Sequence, residues 1–343
     1  MESSNAGSAT RLGLDIGGAN LKIADGRGFA FSQPFPLWQR PAELAAALRQ
    51  LLADAPPAAG LAVTMTGELA DCFSTKAEGV RTIVAAAVEA ADGRDLKVYM
   101  TDGSWVGTEA AAADPLRAAA SNWHALARFA GRMAPQQSAL LIDIGSTTCD
   151  IIPLVHGLPS ARGHTDPERL VAGELVYTGV QRSPLCAVAD RVPWRGWLCP
   201  LAQELFATTW DVYLLLGDLP EEPLSTHTAD GRPATQAAAH DRLARSICGD
   251  RTMVDREAAM AIAQAVAEAQ LEQLAEAVDR VLGSLPERPG GVVLSGRGEF
   301  LALRVLERLG LSTRIVSLAQ RLGPEVSRAA TAHALAVLAG EEG

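Results

Sequence analysis

The chain has 343 residues, 48% of them hydrophobic and only 5% aromatic, which is enough to bury two cores and too long for a comfortable single one. Forty acidic against 30 basic side chains give a formal charge of −10 without a basic cluster, which argues against nucleic acid as a partner. No run of about twenty apolar residues marks a membrane span, and the polar start MESSNAGSAT lacks the basic-then-apolar pattern of an export signal, so a soluble, cytoplasmic protein acting on small molecules is expected.

Residues 1–10 read as a flexible leader. Arg11 to Ile16 is predicted as a strand, Gly17 to Asn20 as a tight turn and Leu21 to Ala24 as the returning strand. Ala42 to Ala53 sets Leu44, Leu48, Leu51 and Leu52 on one helical face, and Pro56-Pro57 stops it before a strand over Gly60 to Met65. A strand from Asp95 to Met100 runs into the turn Thr101-Asp102-Gly103. Helices containing Ala110 to Ala120 and Trp123 to Phe129 then complete a first lobe, 11–137. Ser138 to Ile144 and Cys149 to Val155 repeat the strand–turn–strand design. Each unit opens on Leu/Ile-Asp-Ile-Gly, the mark of a duplicated architecture.

The stretch 157–249, dense in Pro, Trp, Arg and acids, reads as substrate loops. Met253 to Leu285 is predicted as a long helix with Ile262, Val266, Leu274, Val278, Val281, Leu282 and Leu285 along a core stripe. Gly291 to Leu294 is a strand, Ser295 to Gly298 its turn and Glu299 to Leu309 a helix, closing a second lobe, 138–323. The remainder, 324–343, carries a helix over Glu325 to Ala339 expected to cross back to the first lobe. Five scattered cysteines without a C-x-x-C pair suit a reducing compartment, and a zinc site on Cys186 and Cys199 is not expected.

In Gly13-Leu14-Asp15-Ile16-Gly17-Gly18-Ala19-Asn20-Leu21-Lys22, glycines let the backbone approach an anion and aim amides at phosphate oxygens. Asp15 at the strand end can hold a hydrated Mg²⁺ or another divalent cation, and Lys22 adds a positive charge. Alone, this is as readily an ordinary hairpin. In Asp143-Ile144-Gly145-Ser146-Thr147-Thr148-Cys149-Asp150 an acid again stands before a small, hydroxyl-rich turn, so Asp143 can share the metal while Ser146 and Thr147 donate to phosphate.

Asp-x-Gly-Gly-x-Asn and Asp-x-Gly-x-x-Thr-x-Asp resemble the two phosphate motifs of the sugar-kinase/Hsp70/actin superfamily. The resemblance implies an α/β, two-lobed ribonuclease H-like fold with an interlobe cleft. The third element expected of that superfamily, an adenosine motif, is altered in Val292-Val293-Leu294-Ser295-Gly296-Arg297-Gly298-Glu299: arginine replaces the second glycine and glutamate the small residue. Gly296 and Arg297 are therefore assigned to the diphosphate, with ATP the less expected ligand.

A narrower resemblance spans nearly the whole chain, through Thr66-Gly67-Glu68-Leu69-Ala70-Asp71, Ser121-Asn122-Trp123, Gly173-Glu174-Leu175 with Tyr177 and Gly179, Arg182-Ser183-Pro184 and Asp230-Gly231-Arg232-Pro233. These look like the hydantoinase/oxoprolinase-like proteins linked to tetrahydromethanopterin-dependent one-carbon transfer. The resemblance implies a methanofuran-pathway transferase that joins a tyramine- or tyrosine-derived phenol to an aminomethylfuran bearing a diphosphate leaving group. Two other readings stand beside it: an ATP-dependent small-molecule kinase or hydantoinase/oxoprolinase-like amidohydrolase, and a nucleotide-gated regulatory protein.

A phenol ionises near pH 10, so only about one part in a thousand is anionic at neutral pH and a base should assist. Asp102, ending its strand, is the first choice, with Glu68, Asp71 and Glu174 as alternatives, each equally readable as a solvated acid or a cap. His164 and His124 could also move protons. Of Arg162, Arg169, Arg182 and Arg195, Arg182 is taken as the substrate-binding donor, with Glu68, Asp71 and His164 beside it. Trp194 and Trp197 could face a flat ring, but packing under a loop explains them more simply. The acceptor's tail stays open, and an oligomer is compatible with the sequence.

Overall fold

The computed structural model describes residues 10–341, so all of the leader but Thr10 lies outside it. Two sheets share a five-strand path. In the first, β1 (Arg11–Ile16), β2 (Asn20–Ala24), β3 (Ala30–Pro34), β4 (Gly60–Met65), β5 (Asp95–Tyr99) and β6 (Trp105–Val106) lie in the order β3-β2-β1-β4-β5-β6. There β1 pairs antiparallel with β2 and parallel with β4, which pairs parallel with β5. In the second, β7 (Ala139–Ile144), β8 (Cys149–Val155), β9 (Leu158–Pro159), β10 (Leu175–Val176), β13 (Gly291–Ser295) and β14 (Arg314–Ser317) give β10-β8-β7-β13-β14, with β9 also on β8. A separate hairpin joins β11 (Arg191–Trp194) to β12 (Trp197–Pro200).

Strand alternation aims the two acids. In β1, Leu12, Leu14 and Ile16 join the core under helices Leu44–Ala53 and Lys76–Ala91, which leaves Gly13 and Asp15 on the opposite face. In β7, Leu140, Ile142 and Ile144 join the core of the long helix Arg256–Leu282, whereas Ala139 and Leu141 pack on the other face, which Asp143 shares.

Between the sheets lie two helices. Ala330–Ala339 is apolar almost all round and nearly wholly buried, as a helix covered on every side must be. It rests on β1 because position 13 has no side chain: a Cβ there would stand 1.9 Å from the Ala332 carbonyl oxygen. Gly13→Ala is therefore expected to cost about 3 kcal/mol or more, read as a fall in the denaturant midpoint at constant m. The C-terminal segment, expected as one helix, forms two pieces, Pro324–Arg328 and Ala330–Ala339, broken at Ala329. Helix Asn122–Gly131, assigned above to the first lobe, sets Trp123, Leu126 and Phe129 against Leu141, Ile152 and Leu154 of the second sheet, so it joins the lobes.

Other boundaries shift for local reasons. The span 110–120 divides at Asp114-Pro115, where proline starts a new turn, leaving helices Thr108–Ala113 and Pro115–Ala118. Strand β3 and helix Lys76–Ala91, unassigned above, complete the first lobe; Thr75 caps the helix by accepting the Glu78 amide. The region 157–249 is more ordered than loops. Thr165 with Glu168 and Thr208 with Asp211 form capping boxes, and the wholly buried Arg242 ties Asp211 to Asp230. Among the described residues no helix is long and apolar enough to cross a membrane.

Candidate functional site

The two hairpins face each other across a cavity of about 580 Å³. Their turns close alike: the Gly17 amide donates to the Asn20 carbonyl at 3.0 Å and the Gly145 amide to the Thr148 carbonyl at 2.8 Å. In register, Asp15 stands opposite Lys22 and Asp143 opposite Asp150, so Asp150 occupies the place that lysine takes in the first hairpin. Lys22 Nζ donates to Asp15 Oδ2 at 3.0 Å, while Asp15 Oδ1 is buried without a partner. Arg169, itself buried and lying over the Trp123 ring, donates to Asp150 Oδ1 at 2.6 Å. Behind the second turn, the amides of Val180, Gln181 and Arg182 donate to the carbonyls of Gly145 and Ser146. Gly179 makes that contact feasible, since a Cβ would lie 2.5 Å from the Thr147 nitrogen.

The floor of the cleft therefore gathers three carboxylates against one lysine and, on Asp150, one arginine. Burial, reinforced by the charge of Asp150, pushes the Asp143 carboxyl up to about 6. Burial also raises Asp150, against the pull of Arg169. Lys22 is raised chiefly by Asp15, with Asp143 and Asp150 adding to it. This surplus of negative charge around an orphaned oxygen suits a hydrated divalent cation, which takes one or two carboxylates and completes its shell with water and phosphate oxygens. Asp15 and Asp143 would hold it. Among the described residues no three His, Cys, Asp or Glu side chains form a cage of their own.

Glu68 forms part of the wall. It is 1% exposed, Oε2 has no partner, and burial raises its carboxyl to about 7 against the opposing effects of nearby amides and of Lys76, 3.9 Å away. The loop sits tightly on helix Lys76–Ala91, because a Cβ at Gly79 would meet the Glu68 carbonyl oxygen at 2.3 Å. Toward the mouth, the Arg182 guanidinium of one lobe lies 5.6 Å from the Trp38 ring of the other. Tyr177 and Leu69, both well exposed, add apolar surface to the same cavity.

The fold thus brings Asp15, Gly17, Gly18, Asn20, Lys22, Glu68, Asp71, Asp143, Gly145, Ser146, Thr147 and Arg182 to one cavity. Five expected residues do not line it. Asp102 sits on an exposed turn, where Ser104 and Arg117 bind its carboxylate, so the strand end that recommended it points elsewhere. Glu174 is buried, but its carboxylate accepts the amides of Arg162 at 2.6 Å and Gly163 at 3.0 Å and so holds a loop. His164 is exposed, its amide donating to the helix-capping Glu168. Arg297 is ion-paired with Glu222. Gly296 supports the site from behind, since a Cβ there would lie 2.7 Å from Asp143 Oδ1. His124 donates to or accepts from Tyr99 in the interlobe packing, and burial lowers its ring to about 4. Trp197 is exposed on its hairpin and Trp194 packs on the core, neither lining the cavity.

Sequence reasoning passed over Asp150, Asp166, Lys76, Trp38 and Tyr177 as site residues, and named Arg169 only among four candidate donors from which Arg182 was chosen. Pairing the two hairpins residue by residue would have aligned Asp150 with Lys22. No local signal marks Trp38, which reaches the cavity because the Leu37 amide donates to the Gly18 carbonyl at 3.0 Å.

Two sheets that share one five-strand path, each offering an acid-and-turn hairpin to a common cleft, define a protein of the sugar-kinase/Hsp70/actin fold class. The chain belongs to the hydantoinase/oxoprolinase family, whose model matches residues 60–339. It is 34% identical, over 95% of its own length and 96% of the relative's, to the (4-{4-[2-(gamma-L-glutamylamino)ethyl]phenoxymethyl}furan-2-yl)methanamine synthase of Methanocaldococcus jannaschii. The Methanococcus vannielii protein of the same name is 31% identical, over 60% of this chain and 92% of its own. A nucleotide-free acetone carboxylase shares the fold at a TM-score of 0.56 and 11% identity, over 96% of this chain and 70% of that one.

Proposed function

We propose that this chain is a transferase that forms an aryl furfuryl ether in the making of a methanofuran-type carrier. The relatives' product contains a phenoxymethyl bridge to an aminomethylated furan, and such an ether is assembled by a phenol oxygen attacking a furan-bound methylene carbon. The observation that carries the reading is the shape of the cavity. It runs from both phosphate hairpins to Glu68, Asp71 and Tyr177, and does not include the Gly296 to Glu299 turn where adenosine would lie in a kinase of this fold.

In the reaction, the phenol oxygen bonds to the methylene carbon as the carbon–oxygen bond to diphosphate breaks, and diphosphate leaves with the bonding electrons. The phenolic proton passes to Glu68, whose carboxyl near 7 is matched to neutral operation. Lys22 and the turn amides of Gly18, Ala19, Ser146 and Thr147 face the departing charge, with Arg182 at the mouth. A divalent cation held by Asp15 and Asp143 would supply further neutralisation of the leaving group. Trp38, Tyr177 and Leu69 offer faces for the flat rings and exclude water.

Purified protein given the aminomethylfuran-methyl diphosphate, a phenolic acceptor and Mg²⁺ is expected to yield ether and pyrophosphate in equal amounts without ATP. Competition among tyramine, tyrosine and γ-glutamyltyramine then ranks the acceptor tail. No ether under any divalent metal, or phosphate release from ATP that depends on the acceptor, would overturn the reading in favour of a kinase or amidohydrolase.

A further inference from the structure

From Glu68 to the second hairpin the cleft wall is a line of alternating charges. Lys76 Nζ lies 3.9 Å from Glu68 Oε1 and donates to Asp166 Oδ2; Asp166 Oδ1 lies 4.0 Å from Arg169, which binds Asp150 at 2.6 Å. The line crosses between lobes. Lys76 opens the first-lobe helix Lys76–Ala91, and Asp166 opens the second-lobe helix Asp166–Ala172. Glu68, Asp166, Arg169 and Asp150 line the cavity, whereas Lys76 stands behind them.

We infer that Lys76 is a positioning residue that sets the basicity of Glu68 and divides its charge between Glu68 and Asp166 across the lobes. The inference rests on the reading of Glu68 as the proton acceptor. Of the charged groups that act on Glu68, Lys76 comes from helix Lys76–Ala91 and Asp166, with Arg169 beyond it, from helix Asp166–Ala172, while the segment before Asn122 supplies the Ala120 amide. Burial raises the carboxyl, its own amide and then the lysine favour the carboxylate, Asp166 opposes it, and the balance lies near neutrality. With Lys76 side chain 22% exposed, its pull on Glu68 is partly screened by water. The electrostatic role makes a prediction that a mere latch between lobes does not. Removing either end of the Lys76–Asp166 bond opens the latch equally, but the two removals change the charge beside Glu68 in opposite senses.

Carbon-13 NMR of carboxyl-labelled, ligand-free protein reads the Glu68 titration directly, with its signal assigned by its loss in Glu68→Gln. The midpoint is expected to rise by about one unit in Lys76→Met, fall by a comparable amount in Asp166→Asn and stay near the parent value in Lys76→Arg. Midpoints that stay put, or that move the same way in Lys76→Met and Asp166→Asn, overturn the inference. Should Lys76→Met not fold, Asp166→Asn decides alone, a fixed or rising midpoint being the adverse result. If the midpoints separate as expected but the pH dependence of kcat/KM does not follow them, the role of Lys76 stands and Glu68 is not the proton acceptor.

Discussion

Asp15→Asn is expected to leave a folded protein whose ether-forming rate is lower by roughly a hundred- to a thousandfold, the scale on which preorganised charge stabilisation acts. Asp15 is 3% exposed, its Oδ2 holds Lys22, and its Oδ1 is the buried oxygen that lacks a partner. An asparagine of the same shape keeps the hairpin but removes the charge that would bind the cation. It also presents an amide in place of one of the two carboxylate oxygens. Lys22 keeps the attraction of Asp143 and Asp150, so the fold should survive with a modest loss of stability. Calorimetric titration of pyrophosphate gives the check. The parent's affinity should rise when Mg²⁺ is added, the variant's should not, and a variant that keeps both the Mg²⁺ effect and the rate would remove Asp15 from the site.

Glu68→Gln is expected to lower kcat/KM by about a hundred- to ten-thousandfold, the range associated with loss of a general base. It should also change the form of the pH profile. In the parent, kcat/KM should rise with pH through about 7, as Glu68 ionises, and level off above; in the variant that limb should vanish. Stability should respond with the opposite sense. Because the folded carboxyl is raised from 4.5 to about 7, between those values the folded state holds a proton that the unfolded chain has released. Stability attributable to Glu68 therefore falls as pH rises through that window, and the penalty is complete above it. The glutamine variant escapes the penalty, so at pH 8 it should melt at a higher temperature than the parent, with the difference closing below about pH 4.5. A slower enzyme that is also more heat-stable at alkaline pH fits a charge buried for chemistry rather than for packing. An unchanged profile would return the choice of base to Asp71.

The alternation of Leu12, Leu14 and Ile16 with Gly13 and Asp15, and its repeat around Asp143, was legible because a strand's period of two puts the acid on the face away from the core. Gly17 and Gly145 marked the turns for an equally local reason. Helix Lys76–Ala91 was passed over although Val80, Ile83, Val84 and Ala87 recur at helical spacing, but that Gly79 is buried against Glu68 is a matter of tertiary contact. The choice of base failed in a different way. Asp102 and Glu68 both follow strands of the same sheet and look alike in sequence, yet Arg117 pairs with one on an exposed turn while the other is sealed beside Lys76.

What the chain determines by itself is the pair of hairpins, the acids at their strand ends and the altered Ser295-Gly296-Arg297-Gly298 turn, because each depends on residues within a few positions of one another. Which carboxylate has a raised pKa, which arginine is buried against Asp150, and that Lys76 of one lobe meets Asp166 of the other were decided only by tertiary structure. Burial and charge spacing act between residues far apart in sequence, here 90 positions for Lys76 and Asp166, and no local pattern encodes them.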